Sequence, residues 1–219
     1  MKIKTEEKIR CLKKANYENI CLNDFEKFKG LKAIIFDFDN TLYKDIDWLN
    51  YNEFVVENVR KIFAYLTDEE FENLLKKHNF NGDRVIESFA KICLEELGST
   101  KKFWNFVKDI KFDGDYSHVK LFPRQILEEL SKKYTLFILS NSSVDNIKYV
   151  SKQINLDLRF FTKIYDNKFK EDDLTKARSM KDILNESQIK PQQILMVGDS
   201  IVHDLIPAKS LGMKVMLIE

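Results

Sequence analysis

The stretch Phe36-Asp37-Phe38-Asp39-Asn40-Thr41-Leu42 follows directly on the apolar run Leu31–Phe36. That run has the length and composition of a buried parallel strand. Alternation along it sends Asp37 and Asp39 to one side and Phe38 to the other. Two carboxylates held this close repel each other, so they need a cation or a shared proton to coexist. They stand at a strand's carboxyl end, where ligands bind in open α/β sheets. Read alone, the same D-x-D-x-T pattern also suits an acidic turn that caps the next element.

Outward from this stretch, Tyr134–Leu139, Ile194–Val197 and Lys214–Ile218 read as further buried strands. Helical patterns separate them: Pro123–Lys133 puts Ile126, Leu127 and Leu130 on one face, and Ala177–Glu186 does the same with Met180, Ile183 and Leu184. Strands alternating with helices of this length predict an α/β fold with a parallel sheet and right-handed crossovers. One interval breaks the alternation. From 44 to 120 the reading is helical throughout, with Trp48, Val55, Val59, Ile62 and Leu66 on one stripe and Val85, Phe89, Ile92 and Cys93 on another. Thr67 and Glu70 form a capping box ahead of Phe71, Leu74 and Leu75, and Gly98 is a stop signal. The expected organisation is a helical extension over 1–30, a core of 31–43 and 121–219, and a small all-helical domain over 44–120.

Composition narrows the function classes. The 219 residues carry 36 basic and 35 acidic side chains, well mixed, for a net charge of +1, which leaves no electrostatic footprint for nucleic acid or an anionic membrane. The longest apolar runs are too short to span a bilayer, and Met1–Glu7 lacks the apolar stretch of a secretory signal. Cys11, Cys21 and Cys93 are odd in number and have no C-x-x-C spacing, which argues against a disulfide framework or a zinc site. The expected location is the cytoplasm.

Two more strand ends carry chemistry. Gly198-Asp199-Ser200-Ile201-Val202-His203-Asp204 offers two acids five apart, a set that suits an oxygen-seeking cation such as Mg²⁺ or, more plainly, a helix cap. Ser140-Asn141-Ser142 offers a hydroxyl and backbone N–H groups that can hold a phosphate oxygen, or an ordinary turn. Three such sites ending three strands, in this order, are far less expected by accident than any one. With these motifs the chain resembles the haloacid dehalogenase-like phosphatase superfamily over roughly 31–218.

The resemblance implies a Rossmann-like core with an α-helical cap, and Mg²⁺ as the cofactor. It implies that Asp37 is the nucleophile that becomes phosphorylated, and that Asp39 is the general acid and base. Thr41 would support the first loop, and Ser140 with the amide of Asn141 would hold the phosphoryl group. Asp37, Asp199 and the main-chain carbonyl of Asp39 would ligate the metal, while Asp204 would orient either the metal's waters or a lysine. The family also has a lysine ahead of the penultimate helix. Lys168, Lys170 and Lys176 compete for that role here, and the spacing to Asp199 favours Lys176. A capped site implies a small phosphorylated metabolite, with nucleoside monophosphates, sugar phosphates and phospho-acids all open. Asp39 argues against dehalogenation, since dehalogenating relatives lack that acid. A phosphomutase and a non-catalytic interaction module are the rival readings. Asp47, Trp48 and the loop 113–115 are candidate points where cap and core touch.

Overall fold

The computed structural model of the chain describes residues 13–44, 48–80, 85–109, 111, 114–167 and 175–219. Ile9, Leu12, Cys11, Asp47, Asp113, Lys168 and Lys170 lie outside these, as does the side chain of Trp48. The chain divides into two compact units, 1–45 with 119–219, and 46–118.

The first unit is built on a six-stranded parallel sheet. Its strands are β1 (Lys13–Ala15), β2 (Ala33–Phe36), β5 (Thr135–Ser140), β6 (Lys163–Asp166), β7 (Ile194–Gly198) and β8 (Lys214–Ile218), in the order β1-β8-β7-β2-β5-β6. Between β2 and β5 come the two-residue strands β3 (Tyr43–Lys44) and β4 (Lys120–Leu121), which pair antiparallel with each other. Every residue of β2 and β7 is buried, which is why both read as unbroken apolar runs. From β2 the chain builds outward to β5 and β6 on one side, then returns to add β7 and β8 on the other. β2 is therefore the switch point where the winding reverses, the place where ligands bind in such sheets.

The N-terminal segment differs from the expected helices. Lys13–Ala15 adds a parallel strand beside β8, followed by a 3₁₀ turn at Tyr17–Asn19 and the short helix α1 (Leu22–Glu26). Counted along the six-stranded sheet, the helical unit thus follows the second strand, not the first. A three-residue strand is too short to announce itself by alternation. Tyr17 and Phe25 are buried against Phe122, and Phe25 also against Phe36. This segment closes one edge and one face of the core.

The second unit holds α2 (Trp48–Val59), a 3₁₀ turn at Arg60–Phe63, α3 (Asp68–Lys77), α4 (Val85–Leu97) and α5 (Lys101–Asp109). Thr67 Oγ1 accepts from the Glu70 amide at 3.2 Å and Glu70 Oε2 from the Thr67 amide at 2.7 Å, so the capping box starts α3. Gly98, at φ +69°, follows α4 in the left-handed conformation that ends helices. Val55, Val59, Phe63, Phe71, Phe89, Ile92 and Phe103 fill its interior.

The remaining helices of this unit are α6 (Arg124–Lys133), α7 (Val144–Gln153), α8 (Ala177–Ser187) and α9 (Ile206–Ser210). Of these, α6 packs against α1, while α8 and α9 bury Met180, Ile183 and Ala208 against Ala33, Ile35 and Met196 of the sheet. Among the described residues no helix is long and apolar enough to cross a membrane.

Candidate active site

Strand register brings the three motif loops together. Phe36 of β2 lies opposite Val197 of β7 on one side and Ile138 of β5 on the other. Asp37, Asp199 and Ser140 are one or two residues past that line, on three adjacent strands. The Asp37 amide still donates to Val197 O at 2.9 Å, which carries the ladder one step into the loop. Beyond it the chain turns sharply, with the amides of Thr41 and Leu42 both donating to Phe38 O. Asn40 takes φ +57° there, a conformation that asparagine tolerates better than most side chains.

The acidic centre is nearly closed to solvent. One carboxylate oxygen from each of Asp37, Asp199 and Asp204 can lie within 4.8 Å of the other two. Lys176, only 2% exposed, sets its ammonium 2.5 Å from Asp37 Oδ1 and 2.7 Å from Asp204 Oδ1. Asp37 Oδ1 also accepts from the Phe38 amide at 2.7 Å. Burial, reinforced by the Asp204 charge, pushes the Asp37 carboxyl up to about 7 despite the pull of Lys176. Burial and the neighbouring Asp37 push Asp199 up to about 7 as well. Burial also raises Asp204, against the opposing pull of Lys176. For Lys176, burial works toward neutrality, but Asp204 and Asp37 outweigh it and hold the ammonium charged. One ammonium thus faces three acids, and the set is short of positive charge.

Asp204 owes its place to an unusual turn. The amides of Leu205 and Ile206 reach back five residues, to Ser200 O and Ile201 O, a π-type turn of the kind often found at functional sites. The turn aims the Asp204 carboxylate back over Gly198. A Cβ on Gly198 would stand 2.5 Å from Asp204 Oδ2 and 2.9 Å from Asp204 Cβ. Gly198→Ala is therefore expected to push Asp204 off Lys176, lowering the melting temperature and cutting activity together. An alanine variant with native stability and native turnover would show that this close approach is not needed.

Asp39 sits apart from the acidic trio. Its Oδ1 accepts from Tyr43 Oη at 2.5 Å, and its Oδ2 from Ser140 Oγ at 3.1 Å and Ser142 Oγ at 2.9 Å. The hydroxyl of Thr41 is buried and has no hydrogen-bond partner among the described residues. The side chain of Asn141 accepts from Asn167 Nδ2 at 3.0 Å. Sequence reasoning passed over Tyr43, Ser142, Asn167 and the spacing role of Gly198. Only Ser142 left a signal, since it repeats the hydroxyl of Ser140 two residues on.

Comparison with known proteins gives a consistent result. The family model described as haloacid dehalogenase-like hydrolase matches residues 34–218. A glyceraldehyde 3-phosphate phosphatase of Methanothermobacter thermautotrophicus is 25% identical over 198 residues, covering 86% of this chain and 85% of that protein. Among solved structures, a haloacid dehalogenase-like family hydrolase from Streptococcus pneumoniae is similar at TM-score 0.53 and 22% identity, covering 87% of this chain and 85% of that one. A 2-haloacid dehalogenase from Pseudomonas syringae pv. Tomato is similar at TM-score 0.51 and 16% identity, covering 85% and 86%. An enzyme from Bacteroides thetaiotaomicron, solved in complex with magnesium and inorganic phosphate, is similar at TM-score 0.50 and 19% identity, covering 87% and 95%.

Proposed function

The chain belongs to the haloacid dehalogenase-like hydrolase family, and from that membership we propose that it is a magnesium-dependent phosphatase of small phosphomonoesters. One observation carries the reading: the buried acids Asp37 and Asp204, the half-buried Asp199 and one lysine converge at the sheet's switch point, one strand away from the Ser140 loop.

The all-oxygen donor set of Asp37 and Asp199, with the Asp39 carbonyl, fits Mg²⁺, which typically takes one or two carboxylates and keeps several waters. The raised Asp37 and Asp199 fit it too, because a divalent cation relieves the repulsion that keeps them from ionising together. When bound, the ion would neutralise charge on the phosphoryl oxygens.

The chain's own residues supply the rest. Asp37 attacks phosphorus and carries the phosphoryl group as an acyl phosphate. Lys176 holds Asp37 and Asp204 in place and balances charge in the transition state. Asp39 gives a proton to the leaving oxygen and later takes one from the attacking water. Its hydrogen bond from Ser140 links this role to binding. A phosphoryl oxygen that takes the Ser140 hydroxyl removes one of the bonds pinning Asp39 and loosens its carboxyl group, which the bonds from Tyr43 and Ser142 still hold near the leaving group. The amide of Asn141 would hold a second phosphoryl oxygen, and Thr41 would stiffen the loop. Residues 46–118 are assigned the role of cap, which excludes water while the reaction proceeds.

Triose phosphates head the substrates to try, because the Methanothermobacter relative is named for one. The experiment is phosphate release from an aryl phosphate and then from a metabolite panel, with Mg²⁺ and with EDTA. Release is expected with Mg²⁺ and not with EDTA. Mg²⁺ should also raise the melting temperature, by the equivalent of about 2.7 kcal/mol at a hundred times its dissociation constant. Full turnover in a metal-stripped sample, or no thermal shift, would remove magnesium from the reading.

A further inference from the structure

We propose that Asn167 is a positioning residue that locks the phosphoryl-binding loop to the helix presenting Lys176; the proposal rests on the phosphatase reading only for what those two parts hold. Asn167 stands one residue past β6, on the edge of the sheet, yet it is completely buried. A buried carboxamide is normally hydrogen-bonded, and the partners here come from separate segments. Its Nδ2 donates to Asn141 Oδ1 at 3.0 Å and to Thr175 O at 3.3 Å. Its Oδ1 accepts from Ser179 Oγ at 3.0 Å, and its backbone amide donates to Ser140 O at 2.7 Å. The amide orientation follows from chemistry, because the carbonyl of Thr175 can only accept.

Asn167 thus bonds to the catalytic parts and not to the reacting atoms. Ser140 and Asn141 form the phosphoryl-binding loop. Thr175 immediately precedes Lys176, and Ser179 lies one turn further along α8. One side chain therefore grips the start of α8 on both sides of Lys176, while the Lys176 amide donates to His203 O at 3.1 Å. The ladder between β5 and β6 stops at Ser140 and Asp166, so it does not reach this helix. Asn167 extends that ladder across to α8. An ammonium that must sit within 3 Å of two carboxylates tolerates little drift.

Asn167→Asp keeps the size and the acceptor for Ser179, but turns an acceptor toward the Thr175 carbonyl. Asn167→Ala removes the side-chain bonds to Asn141, Thr175 and Ser179 together, and Ser179→Ala removes one of these. The test compares these with Ile154→Val, a core substitution that controls for lost stability. The first readout is a short acetic anhydride pulse followed by peptide mass analysis. Lys176 is expected to be protected in the native protein and to be acetylated several-fold faster in Asn167→Ala and Asn167→Asp, less so in Ser179→Ala. Exposed Lys132 should react alike in all. The second readout is turnover of p-nitrophenyl phosphate with Mg²⁺, where kcat should fall by about 10²-fold with little change in KM, as misplacement of a group acting in the transition state predicts. Folded Asn167 variants with Lys176 still protected, or with kcat like that of Ile154→Val, would overturn the proposal. If the native protein hydrolyses no phosphate ester, the phosphatase reading falls, and the acetylation readout still decides the role of Asn167. If both Asn167 variants fail to fold, Ser179→Ala decides it by the same readout.

Discussion

Asp37→Asn is expected to cut phosphate release by roughly 10⁴-fold or more, the scale on which removal of a nucleophile is felt, while leaving the fold intact. The two halves of that expectation have separate causes. The amide has the shape of the carboxyl group and can still accept from the Phe38 amide, so the turn after β2 keeps its hydrogen bond. Burial and the acids around Asp37 already push its carboxyl toward the neutral form, so a neutral isostere fits the same environment. Lys176 loses one partner but keeps Asp204 at 2.7 Å. What the amide cannot do is attack phosphorus. A second readout follows the covalent step: native protein quenched during turnover should carry a hydroxylamine-sensitive phosphoryl group on Asp37, and the variant should carry none. Near-normal turnover by Asp37→Asn would end the covalent mechanism.

Lys176→Met is expected to lose about 10²–10³ in rate, or roughly 3–4 kcal/mol, as does removal of other preorganised charge-stabilising groups. It should also be strongly destabilised, by about 3–5 kcal/mol, because breaking a buried pair strands an uncompensated charge. The stranded charge here is chiefly that of Asp204, fully buried in the π-type turn. A second substitution separates the two effects. Adding Asp204→Asn removes the stranded charge, so the double variant should melt higher than Lys176→Met alone while remaining equally inactive. If stability and activity recover together, Lys176 acts through folding and not through the reaction. Lys168→Ala and Lys170→Ala are expected to change turnover little.

The core strands are legible in the sequence because burial writes itself into local composition. Ile194–Gly198 and Lys214–Ile218 are apolar because both faces of the sheet are covered, and the Thr67–Glu70 box marks the start of α3 through bonds only three residues apart. Membership of the family and the α/β class follow from the same local signals, since Asp37, Ser140 and Asp199 each stand directly after such a run. Lys163–Asp166 escaped because an edge strand with an exposed lysine and two half-buried residues has no apolar run to show. Lys13–Ala15 escaped because three residues hold too little pattern.

The sequence by itself thus determined which residues are strand ends and which carry acid or hydroxyl groups. Only the tertiary structure decided which of them meet. Lys176 and Asp37 are 139 residues apart, and their contact depends on strand order, on the crossover through α8 and on the turn that points Asp204 at the same ammonium. The same holds for Asp39, whose Ser140 and Ser142 partners come from the next strand, 101 and 103 residues away. Periodicity and capping are properties of neighbours along the chain. Ion pairs and carboxylate clusters are properties of neighbours in space, and they arise once the sheet's register brings distant strand ends to the same height.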